Sequence, residues 1–246
     1  DMEEIYNLGQ KYGFKIIEDA AHAIGSKYKS ESIGNCKYSD ITVFSFHPVK
    51  IITTGEGGAV MTNSLLLAEK MDVLRSHGIT RDPKKMQNKP DGMWYYEQID
   101  IGFNYRMTDI QAALGSSQLD RLDQYIFRRK EIVDWYNEKF VNNAIIKSLK
   151  SKSDVESAHH LYVVKIMGKQ NKRNYIYDKL RNLGIGVNVH YIPIYRQPYH
   201  SYKCDKLPGA EDYFKRAISL PLFPTLSLGE MNMVADNVIN IVGSIK

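Results

Sequence analysis

Lys50 sits in the stretch FSFHPVKIITTGEGGAV (44–60), beside Val49, Ile51 and Ile52. Apolar neighbours strip water from a lysine, which favours the uncharged amine and readies it to condense with a carbonyl. Five residues earlier, Ser45 closes an apolar run, where its hydroxyl is suited to donate to a phosphate. Pro48 stiffens the stretch, and Gly55, Gly57 and Gly58 let the backbone approach a ligand or turn through positive φ. Upstream, Asp19 ends the run FKIIED, where a carboxylate can meet a cationic ring nitrogen or serve as a helix cap or surface acid. His22, three residues on, can hydrogen-bond a ring oxygen or pack as an ordinary core histidine. An amine for an aldehyde, an acid for a cationic ring and a hydroxyl for a phosphate are complementary roles.

Such groups need elements to carry them. DMEEIYNLGQKYG reads as an amphipathic helix over 2–12, with Ile5, Leu8 and Tyr12 on one side and Gly13 as its stop. FKIIED (14–19), ITVFSF (41–46) and GAVMTN (58–63) read as short strands buried on both faces of an α/β sheet, a setting in which ligand groups collect at the carboxyl ends of strands. A helix follows over 64–77, with Leu66, Met71 and Leu74 inward and Gly78 ending it. The capping-box pattern Thr108-Asp109-Ile110-Gln111 launches a single long helix to about 140, with Leu119, Leu122, Ile126, Val133 and Phe140 on its apolar side. The polar stretch 148–157 marks a domain boundary. After it come a strand (160–167), a helix (170–183), a strand (185–189) and a helix (210–217). A last helix starts at the capping box Ser227-Leu228-Gly229-Glu230, with Val234, Val238, Ile241 and Ile245 aligned. The expectation is an α/β domain over 1–147 and a small α+β domain over 148–246.

Composition excludes several alternatives. At 246 residues, with 43% hydrophobic and 25% charged residues, the chain has the makings of an ordinary globular protein. It has no apolar run of the ~20 residues that cross a bilayer, so no membrane partner is expected. Cys36 and Cys204 stand apart without metal-ligand spacing, so neither a metal nor a disulfide is expected, and a reducing cytoplasm suits them. A net charge of +5 is scattered rather than striped, against a nucleic-acid partner. The chain opens at Asp1 directly into a helix, from which we expect further polypeptide on its N-terminal side.

The words EDAAHAIG (18–25), FSFHPVKIITTGEGGAVMTN (44–63), LRSHGI (74–79) and GFNYRMTDIQAALGSSQLDRLD (102–123) occur in that order. Together they resemble the DegT/DnrJ/EryC1/StrS family of sugar aminotransferases. The resemblance implies the fold-type I architecture of enzymes dependent on pyridoxal 5'-phosphate (PLP), with 1–147 contributing the PLP-binding large domain. Within the family, FHPVKIITTGEGG, SHGITRDP and MWYYEQ are similar to members that aminate C4 of a UDP-linked 4-keto-6-deoxy-N-acetylhexosamine on the pseudaminic acid route. Glutamate is then the amino donor, and a cytoplasmic homodimer with shared active sites is the expected assembly.

On this resemblance Lys50 condenses with the cofactor aldehyde, Asp19 faces the pyridine nitrogen, His22 lies near the phenolic oxygen and Ser45 holds the phosphate. Asn104 is implied to cross a dimer interface to the phosphate of a second copy; from its neighbours alone it reads as a turn residue ahead of the Thr108 cap. His190 and Tyr191, in VNVHYIPIYRQP (187–198), match the segment that approaches the nucleotide sugar, though strand-end packing explains them equally well. His160 reads as structural, and Arg106 stays open between a dimer and a ligand contact. Two other outcomes stay open. One is a truncated, non-catalytic remnant that dimerises or binds. The other is a PLP-dependent sugar 3-dehydratase, disfavoured because those relatives carry histidine where Lys50 stands.

Overall fold

Alternating strand and helix periodicities translate into two compact units in the computed structural model, which describes residues 1–168, 172–200 and 207–244. The first unit comprises Asp1–Leu122 with Asp154–Glu156, and the second Asp123–Ser153 with Ser157–Lys246. Cys204 and Ile245 lie outside the described residues, as does the start of the expected 170–183 helix.

The first unit opens with α1 (Met2–Tyr12), whose last turn is closed by the Gly13 N–H donating to the Gly9 carbonyl. It continues through β1 (Ile17–Asp19), β2 (Lys27–Tyr28), β3 (Glu31–Ser32), β4 (Ile41–Ser45) and β5 (Gly58–Met61). Then come α2 (Leu65–Arg75), β6 (Ile79–Thr80), β7 (Glu97–Gln98) and α3 (Asp109–Leu119). β1 pairs with β4 in parallel, Asp19 opposite Val43, and β4 pairs with β5 antiparallel, Ser45 opposite Gly58. The sheet order is therefore β1-β4-β5.

Several expectations shift here. β1 is only three residues long, and Ile17 on it is 68% exposed, so burial on both faces is not what this edge strand shows. Ile5, Leu8 and Tyr12 of α1 are also exposed; the buried residue of that helix is Gly9. Ser64 caps α2 by accepting from the Leu67 N–H, yet Leu66 points to solvent at 77% exposure while Met71 and Leu74 are half-buried.

The expected long helix after Thr108 is two helices. α3 ends at Leu119, the chain turns at Asp120-Arg121, and α4 (Leu122–Phe140) follows. Val133 and Phe140 are buried, Leu122 and Ile126 half-buried, and Leu119 is exposed beside the break. Apart from its first residue, α4 falls in the second compact unit.

The second unit then adds β8 (Ile146–Ser148), β10 (Tyr162–Ile166), α5 (Arg173–Asn182), α6 (Pro208–Arg216), β11 (Ala217–Leu220) and α7 (Leu228–Gly243); β9 (Val155–Glu156) belongs to the first unit, where it pairs with β2. Its antiparallel sheet has the order β11-β10-β8. The strand expected over 185–189 reduces to one bridge, Asn188 to Ser219, with Ile185 and Val187 buried beside it. Ser227 and Glu230 form both halves of the anticipated capping box. Ile132, Tyr136, Val164, Ile176, Leu180, Ile218, Val234 and Val238 form a continuous apolar core, each side chain worth about 1.5–3 kcal/mol when fully buried. Among the described residues, no helix is long and apolar enough to cross a membrane, and no cluster of His, Cys, Asp and Glu could hold a metal ion.

Candidate active site

The parallel pairing of β1 and β4 decides where the chemistry gathers. Asp19 is the last residue of β1, and Ser45 ends β4 two positions beyond Asp19's partner Val43. Both thus lie at the carboxyl edge of the sheet, where open α/β folds place their ligands.

From Ser45 the chain leaves in a closed loop, 46–57, that carries Lys50. The Phe46 N–H donates to the Gly57 carbonyl at 2.8 Å, and the Phe46 carbonyl accepts from the Thr54 N–H at 3.0 Å and the Thr53 hydroxyl at 2.9 Å. The Lys50 N–H turns back to the His47 carbonyl at 2.9 Å. Ile51 and Ile52 are buried and anchor the loop beside the lysine, whereas Val49 is exposed. Gly55 and Gly57 both have positive φ, a backbone conformation that favours glycine at each.

Lys50 is half-buried, and loss of hydration pulls its ammonium below the ordinary lysine value. The Asp19 carboxylate acts in the opposite direction. Asp19 also keeps a local duty: Oδ1 accepts from the Ala21 N–H at 3.0 Å and fixes the turn after β1. His22 is half-buried in that same turn, which the Ala23 N–H closes by donating to the Ala20 carbonyl. Ser45 is half-buried, its Oγ 3.4 Å from the His47 N–H.

Asn104 is placed differently. It is exposed and bridges to Ser76 at the end of α2, flanked by bonds from the Phe103 N–H to the Leu74 carbonyl and from the Tyr105 N–H to the Arg75 carbonyl. None of these contacts joins it to the Lys50 loop. Arg106 is exposed.

His190 and Tyr191 belong to the second unit. His190 Nδ1 lies 2.7 Å from Ser219 Oγ on β11, and its ring meets that of Tyr191 edge-on, with centroids 4.6 Å apart. Tyr191 is 59% exposed. Downstream, Glu211 accepts from the Tyr195 hydroxyl at 3.0 Å and from Arg196 Nε at 2.8 Å, with a second bond from Arg196 Nη2. Sequence reasoning missed this clamp, because an acid one turn into a helix gives no sign of a partner fifteen residues back.

His160 is buried, and its carbonyl is one of three that accept from Arg129 Nη1, with those of His159 and Leu222. Burial lowers the Arg129 pKa to about 10. A buried guanidinium bound to backbone carbonyls pins the chain corner at residues 159–160.

Residues 1–239 match the DegT/DnrJ/EryC1/StrS aminotransferase family, and the chain belongs to it. An uncharacterized protein of Methanocaldococcus jannaschii is 40% identical across the whole of this chain. The UDP-4-amino-4,6-dideoxy-N-acetyl-beta-L-altrosamine transaminase of Campylobacter jejuni is 36% identical, again over the whole chain. The solved Helicobacter pylori PseC, an aminotransferase of pseudaminic acid biosynthesis, superimposes with a TM-score of 0.92 at 33% identity, covering 100% of this chain and 64% of that one. The chain spans 63% of the length of these curated relatives.

Proposed function

We propose that this chain carries the lysine-bearing part of a PLP-dependent aminotransferase. Its reaction moves an amino group from glutamate to C4 of a UDP-linked 4-keto-6-deoxy-N-acetylhexosamine. The observation that carries this reading is Lys50 itself, a half-buried amine within a closed loop that leaves the sheet at the carboxyl edge where Asp19 and Ser45 end their strands. The donor set fits the cofactor: amine, carboxylate, imidazole and hydroxyl all come from the carboxyl edge of one sheet and the turns that leave it. A putative sugar aminotransferase of Streptococcus pneumoniae, of similar fold, has been solved in PLP and PMP forms.

When bound, the cofactor supplies an aldehyde to carry the amino group and a ring to accept electrons. Lys50 Nζ would hold it and, when free, would serve as general base and general acid. Asp19 would pair with the ring nitrogen and keep it charged by proximity of opposite charge. His22 would orient the phenolic oxygen and Ser45 would donate to the phosphate, while His190 and Tyr191 are the residues we assign to the nucleotide sugar.

Asn104 is assigned to the phosphate of a second copy in a homodimer. Support comes from the exposed run around it, with Met93, Trp94, Ile101, Phe103 and Tyr105 all open to solvent. An apolar display of this size suits a protein partner.

The test is chemical. The protein is mixed with PLP, reduced with borohydride and mapped by peptide mass. The label is expected on Lys50, and a Lys50→Ala variant is expected to lose both the label and the transfer of amino groups from glutamate to the 4-keto sugar nucleotide. A label distributed over other lysines with Lys50 spared would overturn the proposal.

A further inference from the structure

One face of α3 is turned to the Lys50 loop, and its residues are of an unusual kind. Gln111, Gly115 and Gln118 are spaced four and three apart, which sets them in a line along one side of a helix. Gln118 Oε1 accepts from the Thr53 N–H at 2.9 Å. Gln111 Nε2 donates to the Glu56 carbonyl at 3.1 Å, while its Oε1 accepts from the Thr108 N–H and completes the helix cap. Between them, a Cβ added at Gly115 would sit 2.7 Å from Thr54 Cγ2, so only glycine permits the approach.

This face serves little purpose as core. α3 has no fully buried residue, and its apolar side chains Ile110, Leu114 and Leu119 are exposed. What the helix presents to the loop is two amides and a gap, matched to a backbone N–H, a backbone carbonyl and a threonine methyl. Thr54 in turn is buried, and its hydroxyl donates to the same Glu56 carbonyl at 2.7 Å. The loop just after Lys50 is thus bonded to the helix at Thr53 and Glu56, with Thr54 packed against Gly115 between them.

We propose that Gln111, Gly115 and Gln118 are positioning residues that act through residues 53–56 to hold Lys50 in the orientation from which it reacts with a carbonyl. The inference rests on the reading of Lys50 as the reactive lysine.

Gly115→Ala separates this role from ordinary helix stability, because alanine is the better helix former. Two readouts are taken in the full chain: amide hydrogen exchange at Thr53, and the rate at which PLP with borohydride labels Lys50 relative to Lys15. Gly115→Ala and Gln118→Met are each expected to slow Lys50 labelling by about three- to tenfold, the range that loss of one hydrogen bond implies, and to speed exchange at Thr53. Adding Thr54→Ser to Gly115→Ala removes the obstructing methyl, keeps the hydroxyl, and is expected to restore both readouts. Lys50 labelling that survives Gly115→Ala unchanged, or a loss that Thr54→Ser fails to rescue, overturns the proposal alone. A parent chain with no preference for Lys50 over Lys15 overturns the functional reading and this proposal with it.

Discussion

Asp19 raises the proton affinity of Lys50 while the burial of Lys50 lowers it, and burial is the larger of the two effects. The amine is therefore held below the ordinary lysine value by a margin that the neighbouring carboxylate limits. Asp19→Asn removes the charge but keeps an oxygen for the Ala21 N–H, so the turn after β1 survives. Without the opposing charge, the Lys50 pKa should fall further. The pH profile of Lys50 acylation in the variant is expected to move to lower pH; a move to higher pH would contradict the arrangement. The same variant should lose at least about tenfold in aminotransfer, since one decade corresponds to ~1.4 kcal/mol of charge pairing with the ring nitrogen.

Lys15 provides an internal reference of the opposite sign. Its hydrogen bond to Asp40 raises its pKa, whereas burial lowers that of Lys50. Competitive acylation across pH should therefore show Lys50 gaining reactivity before Lys15 as pH increases. Equal profiles for the two would argue against a desolvated Lys50.

Glu211 links the segment bearing His190 and Tyr191 to acid sensitivity. Its hydrogen bonds from Arg196, and then from Tyr195, depress its pKa below the ordinary glutamate value. A depressed carboxyl pKa stabilises the fold above the unfolded value, and that contribution disappears as pH falls through the folded one. Glu211→Gln should flatten the acid limb of the stability profile followed by circular dichroism. It should also raise KM for the sugar nucleotide more than it changes the half-reaction with glutamate.

Two leucines near the end of α5 offer a packing contrast. Leu180 is fully buried in the apolar core, and Leu183, three residues on, is 53% exposed. Leu180→Ala should cost about 2–5 kcal/mol in urea unfolding and Leu183→Ala less than about 0.5 kcal/mol.

The Ser227 cap is a local test of the second unit. Its hydroxyl accepts from the Glu230 N–H while the Glu230 carboxylate accepts from the Ser227 N–H at 2.7 Å. Ser227→Ala should destabilise the protein by about 0.5–2 kcal/mol, measured by the same denaturation.

Much of this could be seen before any coordinates. The Thr108 and Ser227 caps were legible because a capping box depends on residues three apart, which local chemistry settles. The Lys50 stretch was legible because apolar neighbours, a proline and clustered glycines are all local. The break at Asp120-Arg121 was not, since the apolar spacing carries on across it. Nor was the exposure of Leu66 or Ile17, because periodicity tells which side chains share a face but not whether anything covers that face.

Residue order alone committed this chain to its family, its capped helices and a lysine amine set among apolar neighbours. Tertiary structure alone decided that Asp19 acts on Lys50, that Glu211 grips Arg196, and that a helix more than fifty residues downstream fastens the lysine loop. The reason is range: caps and turns are settled within a few residues, whereas burial and charge pairing depend on which distant segments the fold brings side by side.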